Sequence, residues 1–399
     1  MSTPRLNPPF RAEHLGSLKR PLELLAKRAA LDKKEISAED LRLEEDKAIA
    51  EIVQMQRDAG IKSITDGEFR RHMFYDGFFD NLDGHGFTYV PEVPLEWFKD
   101  YVPDTAAFKK QNFKNAASYL CKSKIKRPAG KSLYLPQFEQ LKKFVKPEEI
   151  SNIKVTLCAP EWFHLRHGEY AYDKSVYATD EEYFADIVTA YREEVNELYA
   201  AGARNLQWDD PLLAYFCAES MLAGMKEEGV DSERLLDLYI DVYNKIIEGR
   251  PKDLTVGIHL CRGNFRGGIH FSEGGYDRIA IKLFNVLKMD CYYLEYDTER
   301  AGTFEPLKFL PKDRTVVLGL ISSKLSQLED ISELKNRVNQ AAELIANGEP
   351  KRSKEEALNQ ICISPQCGFA SHSDGNNVTR EDVAAKLKLV SQTAKQIWG

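Results

Sequence analysis

Residues 180–211 read DEEYFADIVTAYREEVNELYAAGARNLQWDDP, and this stretch decides the fold. Phe184, Ile187, Val188, Tyr191, Val195, Leu198 and Tyr199 recur at helical spacing, so residues 180–201 form a helix with one apolar face. Thr179 with Glu182 supplies a capping box at its start, and Gly202 stops it. Residues 205–211 then form a short apolar run that ends in polar groups. Helix followed by strand is the unit, and it recurs outward in both directions. Further apolar runs lie at 10–17, 62–69, 155–160, 254–261, 291–297, 315–322 and 360–367. A last amphipathic helix, capped at Thr379, spans 381–398 with Val383, Leu387, Val390, Ala394 and Ile397 inward. Eight candidate strands alternating with helices predict an α/β fold, a closed (β/α)8 TIM barrel. Residues 1–399 are expected to form one such domain. It carries a helical N-terminal extension (21–60) and an insertion after the second run (80–150), over the barrel mouth or at a subunit contact.

The chain has 399 residues, 43% of them hydrophobic and 29% charged, which excludes a disordered tail or a small disulfide scaffold. A net charge of −7 argues against nucleic acid as a partner. The basic stretch 122–131 reads as a solvated loop. With no run of 18 apolar residues and no apolar signal segment in MSTPRLNPPF, neither a membrane span nor secretion is expected. Seven scattered cysteines suit a reducing cytoplasm better than a disulfide framework.

The fifth run ends in His259-Leu260-Cys261. Strand residues two apart share a face, so imidazole and thiol project together at the carboxyl end of a barrel strand, where such barrels place their active sites. The eighth run ends near Cys367 and the sixth contributes Glu295, completing a donor set suited to tetrahedral Zn2+. Cys121, Cys158, Cys217, Cys291 and Cys362 read as small core hydrophobes. His164 and His167 lack a partner motif and read as surface or helix residues. Asp209 after the fourth run and Glu68 after the second are candidates for holding a substrate ammonium or for acid–base work. Asp66 and Asp210 serve equally well as loop caps. The first run holds His14, a candidate substrate contact, and its Gly16-Ser17 turn offers amides and a hydroxyl to a carboxylate.

His-x-Cys, the strand end LEYD, QWDDP, DGE, an early GS and a late CG together resemble the catalytic barrel of the cobalamin-independent methionine synthases. RAEHLGSLKRP, HLCRGNF, LEYDTERAG and SPQCGFAS are similar to the short, single-barrel members. The resemblance implies zinc on His259, Cys261, Glu295 and Cys367, with Ser17, Glu68 and Asp209 on the amino-acid part of a homocysteine-like thiol. The implied activity is a zinc-dependent thiol S-methyltransferase of methionine biosynthesis, taking a small thiol and a methyl or alkyl donor such as a folate. Three departures leave that donor open. The chain has no room for a second, N-terminal barrel. Thr156-Leu157-Cys158-Ala159-Pro160 replaces an Asn-Trp pair. Lys324 stands where the synthase has a catalytic His after the seventh strand, and is a candidate proton donor or anion clamp. Thiol addition to an epoxide, as in epoxyalkane–coenzyme M transferases, and a metal-free decarboxylase on the same fold are the rival readings. Homo-oligomerisation stays open.

Overall fold

A computed structural model describes residues 4–128, 130–265 and 269–399. Six of the eight runs form strands: β3 (Lys154–Cys158), β4 (Asn205–Asp209), β5 (Thr255–Leu260), β6 (Cys291–Glu295), β7 (Thr315–Ile321) and β8 (Ile361–Pro365). They build one parallel sheet in the order β3-β4-β5-β6-β7-β8. Every residue in them is buried, as a parallel sheet covered on both faces requires. The helix Asp180–Ala200 forms as expected, its first turn capped by Thr179 Oγ1 accepting from the Glu182 amide. The Thr379-capped terminal helix runs Arg380–Trp398.

The first two runs differ from expectation. Each touches the sheet through a single parallel bridge, Ala12 to Ile363 on β8 and Ile64 to Ile153 beside β3. Side chains take the amides a ladder would need. Glu13 accepts from Phe10 N, Nδ1 of His14 from Gly16 N, Thr65 Oγ1 from Gly67 N, and Asp66 from Glu68 N. The two runs also meet each other, Leu18 N donating to the Gly67 carbonyl and Thr65 Oγ1 to that of Gly16.

The N-terminal extension is two helices, Leu22–Asp32 and Ala38–Asp58. Within 80–150 the structure has an antiparallel hairpin, β1 (Phe87–Pro94) and β2 (Asn115–Cys121), enclosing the helix Pro103–Lys110. Val93, Leu95, Phe98 and Leu120 give it a small core of its own.

One sheet face packs on the helices in a large apolar core. The other carries a small cluster, Leu15, Cys291, Tyr293, Val317 and Cys362. Lys154 lies over the Tyr293 ring and pairs with Glu13 at 2.6 Å, both side chains fully buried. This second face matters for chemistry. Its period-two rows run from Cys291 and Tyr293 to Glu295, from Gln207 to Asp209, and from Gly257 to His259, all ending at the carboxyl edge.

Candidate metal centre

His259 is oriented by its own sheet: Nδ1 donates to the Tyr293 carbonyl at 3.1 Å on the neighbouring strand. That fixes the tautomer and leaves Nε2 buried with no hydrogen-bond partner. Cys261, just past β5, has its Sγ 3.3 Å from that of Cys367 and accepts from Gly263 N. The sulfurs are too far apart for a disulfide, and all seven cysteines are free. Glu295 completes the group. Its Oε1 accepts from Arg262 N, and its Oε2 from the Arg300 guanidinium at 3.2 Å. One ligand atom from each of His259, Cys261, Glu295 and Cys367 lies within 4.8 Å of the others, the only such group among the described residues.

Electrostatics asks for a cation here. The neighbouring Cys367 thiol, then burial, then the Glu295 charge hold the Cys261 thiol well above its ordinary range. Burial pulls the His259 imidazole down, but the Cys261 sulfur, Asp209 and Glu295 outweigh it and carry it up to about 9. Two sulfurs, one orphaned imidazole nitrogen and a carboxylate are the donor types Zn2+ prefers, so the residues fit that ion.

The cluster opens into a cavity of about 220 Å3. Of the four expected substrate contacts, Ser17 and Asp209 line it. Asp209 is oriented by Gln207 Nε2 at 2.7 Å, and burial raises its pKa while His259 opposes the rise. Ser17 sits against Gly368, where any Cβ would lie 2.0 Å from its Oγ, so only glycine permits the approach. Glu68 is one layer back, in the left-handed region at φ 60°. Its Oε1 accepts from Thr156 Oγ1 at 2.8 Å and faces Arg71 at 3.7 Å, while Oε2 is buried without a partner. Burial pushes this carboxyl up to about 7, with Arg71 pulling down and Asp209 pushing up.

Other expectations need correcting. His14 does not reach the cavity: Nε2 donates to the Ser63 carbonyl and Nδ1 accepts from Gly16 N. Burial, then Lys154, lowers it to about 3, so it is a neutral brace between the first two runs. Lys324 also misses the cavity, its ammonium donating at 2.9 Å to the Gly263 carbonyl two residues beyond Cys261. His164 and His167 are helix residues but buried, the first between Tyr239 and Asp180, the second between Ser118 and the Trp97 carbonyl. Asp210 caps the helix Pro211–Tyr215, and Asp66 braces the Glu68 turn.

Sequence reasoning passed over Arg300, although the quoted LEYDTERAG contains it. It also missed the aromatic cavity wall, to which Phe108 comes from the insertion and Trp162 from the segment after β3. Only the abundance of aromatics in 80–150 hinted at it.

A parallel α/β sheet thus gathers sulfur, nitrogen and carboxylate donors at its carboxyl edge. The chain belongs to the cobalamin-independent synthase family, whose catalytic-domain model matches residues 174–396. The uncharacterized protein YxjH of Bacillus subtilis (strain 168) is 36% identical over 391 residues, covering 98% of this chain and 95% of the relative. A methionine synthase of Saccharolobus solfataricus is 22% identical, over 93% of this chain and 95% of its own length. A solved structure from Listeria monocytogenes, provisionally named a vitamin-B12-independent methionine synthase, superposes with TM-score 0.71 at 30% identity over 100% and 99% of the two chains.

Proposed function

We propose that this protein transfers a methyl group to an amino-acid thiol of the homocysteine type, using zinc held by His259, Cys261, Glu295 and Cys367. One observation carries the reading: the orphaned, buried His259 Nε2 and the paired sulfurs open onto the same cavity as Asp209 and Ser17. We also read the meeting of the first two runs as closure of a (β/α)8 barrel, with residues 10–17 and 62–69 as its first two staves. The cytoplasm is the compartment that keeps both ligand cysteines reduced.

Bound Zn2+ would supply a thiolate at neutral pH, where a free thiol is mostly protonated. The protein supplies the rest. Asp209 accepts the substrate ammonium, and the Ser17 hydroxyl takes its carboxylate. Glu68 sets the charge behind Asp209. Arg300 and the Arg262 amide hold Glu295 by one oxygen each and so would orient it as a zinc donor. Lys324 pins the loop after Cys261 through Gly263. An acidic residue at the cavity favours an amino-acid thiol over a sulfonate thiol, which would want a cation there, and so disfavours the epoxide transferase reading. A metal-free decarboxylase leaves the His259, Cys261 and Cys367 cluster without a purpose.

Metal analysis of the purified protein tests this: one zinc per chain is expected. Cys261→Ser or Cys367→Ser should lose most of it with the circular dichroism spectrum unchanged, because the apolar core lies elsewhere. A protein that takes up no zinc after reconstitution rejects the reading.

A further inference from the structure

Arg20 lies three residues beyond Ser17 and takes no part in the cavity wall. Its side chain is buried and reaches into two loops at once. One terminal nitrogen donates to the Glu68 carbonyl at 2.9 Å and to the Arg71 carbonyl at 3.0 Å, on the loop after the second run. The other donates to the Ala370 and His372 carbonyls at 3.2 and 3.1 Å, on the loop that follows Cys367. The segment of Arg20 is tied to the same two loops, Leu18 N donating to the Gly67 carbonyl and Phe369 N to the Ser17 carbonyl. Ser17, Glu68 and Cys367 come from three separate stretches of the chain, and all three stretches meet around this one side chain. Burial pulls the guanidinium down to about 10, with the Glu68 charge as the chief opposing pull, so it stays charged at neutral pH. The two loops touch again further out, where Phe74 N donates to the Ser371 carbonyl, and Arg20 is the join at the level of Glu68.

We propose that Arg20 sets the distance between the metal cluster and the amino-acid end of the cavity, as a positioning residue that touches neither substrate nor metal. The inference rests on the thiol-methylation reading above and adds what keeps the two ends of that site in register. A homocysteine-type thiol is short. Its sulfur has to reach the cluster while its carboxylate meets Ser17 and its ammonium meets Asp209, which Glu68 backs. A misplacement of about 0.5–1 Å between the loops is enough to forbid both ends at once. Glu68 sits in the left-handed region at φ 60°, a conformation that a glutamate keeps only where its surroundings impose it, and the carbonyl that Arg20 grips is its own. The guanidinium suits this task. Its terminal nitrogens diverge from one planar fork, so fixing one loop fixes the direction offered to the other. A lysine has one nitrogen on a flexible stem and can hold either loop without setting the spacing between them. Arg28 marks the contrast: also buried, it donates to the Arg71 and Phe69 carbonyls and to Glu45, and its bonds stay on one side of the gap.

Calorimetric titration of the zinc-loaded protein tests the proposal. Homocysteine serves as the two-ended ligand, and propanethiol, which lacks the amino-acid end, as the one-ended ligand. Wild-type protein should prefer homocysteine. Arg20→Lys should keep its zinc and its propanethiol affinity, while homocysteine binds about tenfold or more weakly, the effect of a charged hydrogen bond that no longer forms. Arg28→Lys removes a buried guanidinium from one loop alone and should keep the wild-type preference. If Arg20→Lys does not fold, Arg20→Gln is read in the same way, and failure of both to fold overturns the proposal by making Arg20 a general brace. Loss of zinc, an equal loss for both thiols, or the same loss of preference in Arg28→Lys overturns it as well. A preference for homocysteine that survives in Arg20→Lys overturns the proposal and leaves the amino-acid-thiol reading standing. Wild-type protein that holds zinc and shows no such preference overturns both.

Discussion

Asp209 owes its place to Gln207, two residues earlier on the same face of β4, whose amide reaches both the Leu15 carbonyl and the Asp209 carboxylate. If that carboxylate receives an ammonium, Asp209→Asn should weaken an amino-acid thiol by tenfold or more, about what a charged hydrogen bond contributes, and spare its des-amino analogue. Equal losses for both thiols, measured by equilibrium binding, would remove Asp209 from recognition. Lys324→Ala should loosen the Cys261 loop and lower zinc affinity, and Lys324→Arg should restore it, because the contact with the Gly263 carbonyl needs a donor and not a transferable proton. A lower turnover at unchanged zinc affinity, not restored by Arg, would return Lys324 to proton transfer. Glu68 gives a pH signature. Its folded value of about 7 lies above the ordinary 4.5, so the folded state keeps a proton that the unfolded chain has lost. Stability should therefore fall as pH rises from about 4.5 through about 7. Thermal melts of Glu68→Gln should show a shallower decline across that window; an unchanged slope would assign the titration elsewhere. The metal-cluster residues were legible because strand alternation alone carries His259 and Cys261 to one face. His14 was not, since nothing in RAEHLGS tells whether an imidazole will meet a substrate or a backbone carbonyl.

At the scale of elements, β3 to β8 were readable from their apolar runs, each covered on both faces. The runs at 10–17 and 62–69 hold fewer apolar residues than most of the others, and their polar side chains turn back on their own amides and leave one bridge apiece. Composition cannot reveal that competition. Nor could it foresee that the helix Pro103–Lys110 from the insertion would meet the helix Trp162–His167, where Asp104 pairs with Arg166 and Arg166 lies over Phe98 and Trp162. Arg166→Met strands a buried carboxylate and should cost about 3–5 kcal/mol. That loss falls on the contact between insertion and cavity wall, so limited proteolysis should cut within 80–120 well before the strands unfold. Arg166→Met combined with Asp104→Leu should recover much of the resistance; if the double variant is as labile as the single, packing and not charge joins the two helices.

Across the whole molecule, Lys154 of β3 and Glu13 near the N-terminus form a fully buried pair, and Lys154 Nζ also donates to the His14 carbonyl. Lys154→Met should lower unfolding free energy by about 3–5 kcal/mol in denaturant melts, and adding Glu13→Leu should return much of it. A loss below 1 kcal/mol in the single variant would mean that water reaches the pair. The same connection of distant segments governs how the metal cluster comes into being. Ile363 of β8 exchanges backbone hydrogen bonds with Arg11 and Glu13, and Cys367 follows that strand by two residues. On the ribosome, His259, Cys261 and Glu295 emerge long before the second sulfur, and β8, paired with β7 along one edge, meets the early residues 11–13 along the other. A nascent chain arrested near residue 350 therefore lacks one of the four candidate donors, and the full set is complete only after Cys367 has been added.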